Sequence, residues 1–273
     1  MIKPFRFLAI AAALTISVEV AAQTGPEFDP ANYERVLLPA VAPSPIPGAF
    51  GSRWQTFVVV TNRSERDAWV TLGAPLCSTI CAPGAFKVVA KQTRNIELYS
   101  NPTSFFPHGG LFLHVEKNRR SDVAVSERLV ELSLKASPVG VEIPVIRTDR
   151  EFPVPLQLID IPLNSSSRAA LRIYDLGTGP PGREVRVALF STRTSQELMS
   201  FTASLTGLVD YRDGFPPYAS SADYFDLRGL NEVLRNHDSI RVEITPVSPE
   251  TRFWAFVTVT DNVTQYVRTI TPQ

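Results

Sequence analysis

The sequence predicts an all-β fold arranged as two β-sandwich domains in tandem. Three observations carry that expectation. Period-two runs rich in Val, Ile, Phe and Thr recur about every 8–12 residues, the spacing of sandwich strands. The chain has 23 prolines and few stretches of helical periodicity, which disfavours helical and α/β architectures. The order of strand-like segments before residues 139–162, VGVEIPVIRTDREFPVPLQLIDIP, also recurs after them.

The N-terminus is set aside first. Lys3 and Arg6 precede a mostly apolar run at 7–18, and Val20, Ala21 and Ala22 supply the modest side chains that signal peptidase accepts, so residues 1–22 read as a signal peptide. The run is shorter than the ~20 residues that span a bilayer. The mature chain is expected to begin near Gln23, without a transmembrane segment, and to be secreted or periplasmic.

Loss of Lys3, Arg6 and Glu19 leaves 25 basic and 26 acidic residues of the original 27 and 27. That balance supplies no basic field for nucleic acid or anionic lipid, and nucleic-acid binding is not expected. Cys77 and Cys81 are the only cysteines. In an oxidising compartment so close a pair reads as a disulfide that pins a loop. Closing such a small ring contributes about 2 kcal/mol on the chain-entropy model. A metal site needs further ligands, and the chain offers only His108, His114 and His237.

Residues 23–32 form a polar leader. The first sandwich is expected over 33–147 and opens with 33–39, where Val36 and Leu38 share a side. The proline-rich 40–52 loop cannot be helical and reads as a strap across the sandwich. Residues 54–61 are the clearest strand, apolar and β-branched at the centre, and 67–73 returns with strict alternation. The segments 86–90, 94–99 and 111–116 follow. In 122–134, Val123 and Val125 share a face but Leu129 and Val130 break the pattern, which predicts a bulge or a frayed end. His114 alternates with Leu113 and Val115 and is expected to face solvent.

A short hinge at 148–154 leads to the second sandwich at 155–273. There 156–161 matches the opening strand, 168–176 matches 54–61, and 184–190 matches 67–73. Likewise 239–245 matches 111–116, and 253–260 matches 122–134. An edge strand at 265–271 closes the set. The second copy carries an inserted loop at 206–235, with a short amphipathic stretch at 229–236 expected to turn Leu230, Val233 and Leu234 inward.

That insertion is the most distinctive region chemically. Tyr211, Phe215, Tyr218 and Tyr224 stand near Asp223 and Asp226, and ring faces beside carboxylates suit a sugar: rings stack on C–H surfaces and acids accept from hydroxyls. The competing reading is that the rings plug the open end of the sandwich, since each buries 150–250 Å² in a typical core. No nucleophile elbow, zinc-protease helix, phosphate loop or dinucleotide fingerprint is present. Neither catalysis nor a cofactor or metal is therefore expected.

Together, the signal peptide, VLLPAVAPSPIPGAFGSRWQTFVVVTN, the joint EIPVIR and the ending FWAFVTVTDNVTQYVRTITPQ resemble uncharacterised exported bacterial proteins with tandem immunoglobulin-like sandwiches. The resemblance covers most of the mature chain and implies a fold and a compartment. It offers no catalytic residues. The function it leaves is a non-catalytic module that binds a protein at the cell envelope through sheet edges or loops, with glycan binding, or in second place glycan hydrolysis, at 210–226 as the alternative. Ile143, Val145, Leu156 and Leu158 make the 139–162 joint too apolar to be left in water. A fixed orientation of the two domains follows, with any shared groove beside the seam.

Overall fold

The computed structural model describes residues 30–42, 45–72, 84–96, 110–133, 140–177, 182–205, 208–209, 219–220 and 223–273. The strands are β1 (Tyr33–Leu38), β2 (Ile46–Pro47), β3 (Arg53–Asn62), β4 (Ala68–Leu72), β5 (Gly84–Val88), β6 (Thr93–Ile96), β7 (Gly110–Glu116), β8 (Val123–Glu131), β9 (Val141–Ile143) and β10 (Ile146–Arg147). They continue as β11 (Leu156–Pro162), β12 (Ser167–Asp175), β13 (Arg183–Ser191), β14 (Glu197–Leu205), β15 (Leu208–Val209), β16 (Ala219–Ser220), β17 (Asp223–Asp226), β18 (Ser239–Pro246), β19 (Phe253–Asp261) and β20 (Val267–Ile270). Among the described residues, helical structure is confined to short 3-10 turns and no helix is long and apolar enough to cross a membrane.

The chain is all-β, with antiparallel pairing throughout. In the first half, β7 lies between β1 and β4, and β5 extends the sheet beyond β4; the other sheet runs β6-β3-β8-β9. In the second half the sheets run β11-β18-β13-β14 and β17-β12-β19-β20. The pairing is the same strand for strand, with β1, β3, β4, β5, β6, β7, β8 and β9 taking the places of β11, β12, β13, β14, β17, β18, β19 and β20. The segments matched on sequence pattern fall on equivalent strands, because period-two alternation carries over even where residue identity does not.

Each half buries its apolar rows between its two sheets. Val36, Leu38, Val70, Leu113 and Val115 meet Val58, Val60, Ile96 and Val123 in the first half. In the second, Leu158, Val187, Leu189, Val242 and Ile244 meet Leu171, Ile173, Ala255 and Val257. Leu37, Phe112 and Ile143 of the first half belong to the second core, so the two halves share buried surface.

Three additions depart from the common plan. β2 pairs with the start of β3 as a short edge, and β10 pairs with β1 after the chain crosses between sheets at Pro144 and Val145. The third comes from the insertion: β15 and β16 pair with each other, and β16 pairs with β7 through Ala219↔Leu111 and Ser220↔Gly110. A segment from the second half thus adds to a first-half sheet.

The structure corrects three expectations. β8 is not bulged, since it pairs with β3 in unbroken register from Asn62↔Val123 to Trp54↔Glu131. Glu127 and Leu129 keep the face of Val123 and Val125, and the alternation is disturbed because Val130, on the opposite face, is buried as well. His114 does not face solvent; it is 1 % exposed, because the sheet that holds β7 is covered on both faces. The turns at 229–236 form a 3-10 segment, Glu232–Asn236, capped by the Asn231 side chain accepting from Val233 N. Its tighter pitch buries Leu234 but leaves Val233 46 % exposed.

Candidate functional site

The joint between the halves is built on the outer row of β12 and β19. Ala169, Leu171 and Ile173 point into the second core, so period two turns Arg168, Ala170, Arg172 and Tyr174 outward, opposite Thr260, Thr258, Phe256 and Trp254. At one end of this row, Trp254 and Phe256 rings lie 5.1 Å apart and Tyr174 lies 6.2 Å from each. The first half is seated on that end. Tyr174 Oη donates to Pro39 O, and Gly110 passes so close that a Cβ there would lie 3.2 Å from the Tyr174 ring and 2.6 Å from Leu37 Cδ1.

Buried polar groups tie the halves further. Arg35 Nη2 donates to Leu176 O at 2.7 Å and Gly177 O at 3.2 Å, and its guanidinium sits 4.7 Å from the centre of the Phe112 ring. Burial lowers the Arg35 pKa to about 10, against the opposing pull of Asp175. Asp175 receives Arg183 Nη2 at 2.7 Å and the Gly177 backbone N–H at 2.8 Å; burial still raises its pKa, as the desolvation of the carboxylate outweighs these partners. The 148–154 segment is held as well: Arg252 Nη2 donates to Thr148 O at 2.5 Å and Arg150 O at 3.2 Å, and Thr148 N donates to Arg35 O.

Where the first half does not cover the outer row, a groove remains. Its floor is the Arg168–Arg172 end of β12 with Thr258 and Thr260, and its wall is residues 40–42 and 46–49 of the strap, backed by Trp54 and Leu129; it encloses ≈ 390 Å³. The strap is held at its root. Ala40 N donates to Glu127 Oε1 at 2.9 Å, and Ala42 and Thr56 exchange Ala42 N→Thr56 Oγ1 and Thr56 N→Ala42 O, each at 2.8 Å. Gly48 lies against Trp54, and a Cβ there would stand 2.6 Å from Nε1. Beyond it Phe50 takes a left-handed backbone conformation (φ 56°), which costs a non-glycine residue about 1–2 kcal/mol, and shows a ring that is 73 % exposed. That ring lies 5.1 Å from the Arg168 guanidinium. A second hollow of ≈ 240 Å³ continues past Trp54 and Leu129 towards Tyr266.

The residues singled out from sequence are placed unevenly. Cys77, Cys81, Tyr211, Phe215 and Tyr218 lie outside the described residues. Asp223 and Tyr224 lie on β17, which pairs with β12 through Ile173↔Asp223 and Arg172↔Tyr224. Phe225, their neighbour, is half-buried with its ring 5.0 Å from Phe201. Asp226 is exposed and lines a separate hollow with Arg168, Arg228 and Arg235. No group of three or more His, Cys, Asp or Glu side chains among the described residues is arranged to hold a metal ion.

Sequence reasoning missed Arg168 and Arg172. Their four-residue spacing inside an alternating strand puts both on one face, and that was the available signal. Comparison with protein-family models, curated proteins and solved structures returns no match.

Proposed function

We propose that the chain is a non-catalytic, exported interaction module of two tandem immunoglobulin-like sandwiches, and that the groove beside the seam holds an extended, apolar and acidic segment of a partner protein. The groove carries this reading. Among the described residues its lining includes two arginines and no carboxylate, beside Ile46, Pro47 and Trp54. Arg168 spends its hydrogen bonds on neutral amide oxygens, Asn262 Oδ1 at 2.7 Å and Gln265 Oε1 at 3.0 Å, and forms no ion pair with a described residue. An occupant that alternates apolar side chains with Asp or Glu satisfies both features, and alternation is the pattern an extended strand presents. The strained, exposed Phe50 at the mouth fits a clamp on such a segment.

Selection of a displayed peptide library on the purified chain tests this. The expected result is enrichment of extended peptides that alternate apolar and acidic residues. Trp54→Ala or Arg168→Glu should weaken their binding at least about tenfold, as for loss of a central aromatic or arginine anchor. No enrichment, or binding indifferent to both substitutions, removes the reading.

A further inference from the structure

We infer that Arg168, Arg228 and Arg235 form a binding site for a compact oxyanion of the phosphate or sulfate type. The three side chains line one open hollow of ≈ 380 Å³ together with Ser167, Asn262 and Asp226. They reach it from three elements: Arg168 from β12, Arg228 from the turn after β17, and Arg235 from the Glu232–Asn236 turn. Convergence from separate elements differs from a solvated charge run, in which neighbouring side chains diverge into water.

Charge and hydrogen bonding both leave room for a ligand. Among the described residues, three guanidiniums face a single carboxylate, and neither Arg228 nor Arg235 forms an ion pair. The Arg228 Nε–H is shielded from solvent and has no hydrogen-bond partner, a state that costs about 1–3 kcal/mol unless an acceptor arrives. The ligand that this excess of positive charge suits is a tetrahedral oxyanion. Its several oxygens match the planar forks of more than one arginine, and guanidinium is the side chain best suited to such bidentate contacts. Asp226 repels the anion on one side and accepts from a donor, which favours a ligand that presents a hydroxyl there, as the sugar of a phosphate or sulfate monoester does. Arg168 also lines the groove, but the inference does not rest on the groove being occupied.

Titration calorimetry with inorganic phosphate, inorganic sulfate and glucose 6-sulfate, at ionic strength held constant with sodium chloride, tests the site. The expected result is saturable one-to-one binding of at least one of the three. Preference for phosphate points to a free ion, and preference for glucose 6-sulfate to a sulfated sugar. Arg235 is exposed, so Arg235→Gln should fold as the parent does, and Arg228→Gln removes a second guanidinium; each should weaken binding about tenfold or more, as for a lost charge-assisted hydrogen bond. Absence of saturation with all three anions, or equal affinity in both variants, overturns the assignment.

Discussion

Replacing Trp254 by alanine should destabilise the chain by about 3–5 kcal/mol, among the largest effects available to one substitution. Trp254 is 2 % exposed, lies against Phe256 and Tyr174, and belongs to the core that also takes in Leu37 and Phe112. Truncation removes the transfer energy of the indole and leaves a void between two closely fitted surfaces, which collapse poorly. Urea unfolding followed by circular dichroism measures the loss. For a chain of this size it corresponds to a fall in melting temperature of roughly 2–4 °C per kcal/mol. Trp254→Phe, which keeps a ring on the stack, should cost clearly less. Equal losses for both variants would mean that the void is not what matters.

The second large effect is a pH dependence centred on two buried groups. Burial, reinforced by the nearby Arg35 charge, lowers the His114 pKa from 6.5 to about 3. Burial raises that of Glu127 from 4.5 to about 8, even though Ala40 N donates to it. For His114 the folded value lies below the unfolded one, so its contribution is complete above pH 6.5 and is lost as pH falls towards 3. For Glu127 the folded value lies above the unfolded one, so stability is complete below pH 4.5 and is lost as pH rises towards 8. Between pH 4.5 and 6.5 the two slopes cancel.

Stability should therefore be flat across that window and fall on both sides, by roughly 1.4 kcal/mol per pH unit on each limb. Exposed Asp67 and Glu197 and half-buried Asp261, each held below the ordinary carboxylate range by hydrogen bonds, add to the acid limb. Glu127→Gln keeps an oxygen for Ala40 N and removes the charge, so it should abolish the alkaline limb and leave the acid limb in place. Unfolding free energies measured from pH 3 to 9 decide this. An alkaline limb unchanged in Glu127→Gln would assign the loss to another group.

Strand order was legible because it rests on local alternation. The rows of Val58 and Val60, or of Leu171 and Ile173, can be read directly from their spacing. What could not be read is which sheet faces are covered a second time. Arg35 and His114 alternate with Val36 and Val115 and so look like a solvent row. They are buried because a second pair of sheets lies over them, and alternation along one strand carries no information about a neighbour more than a hundred residues away. The same limit hid Glu127, whose inward position only makes sense beside the strap root at Ala40. It hid the groove as well. Arg168 and Arg172 were visible as a pair on one strand face, yet the opposing wall comes from a loop that the sequence marks only by its prolines. The return of β16 to β7 leaves no local signature, since two-residue pairing is too short to show a period.

The groove has two walls only if the halves keep one arrangement, as the Tyr174–Pro39, Arg35–Leu176 and Arg252–Thr148 bonds and the shared core require. Small-angle X-ray scattering of the purified chain from Gln23 onward measures this most directly. A single arrangement that fits the whole curve, unchanged between low and high salt, is the expected result. A broad distribution of distances between the halves would contradict it.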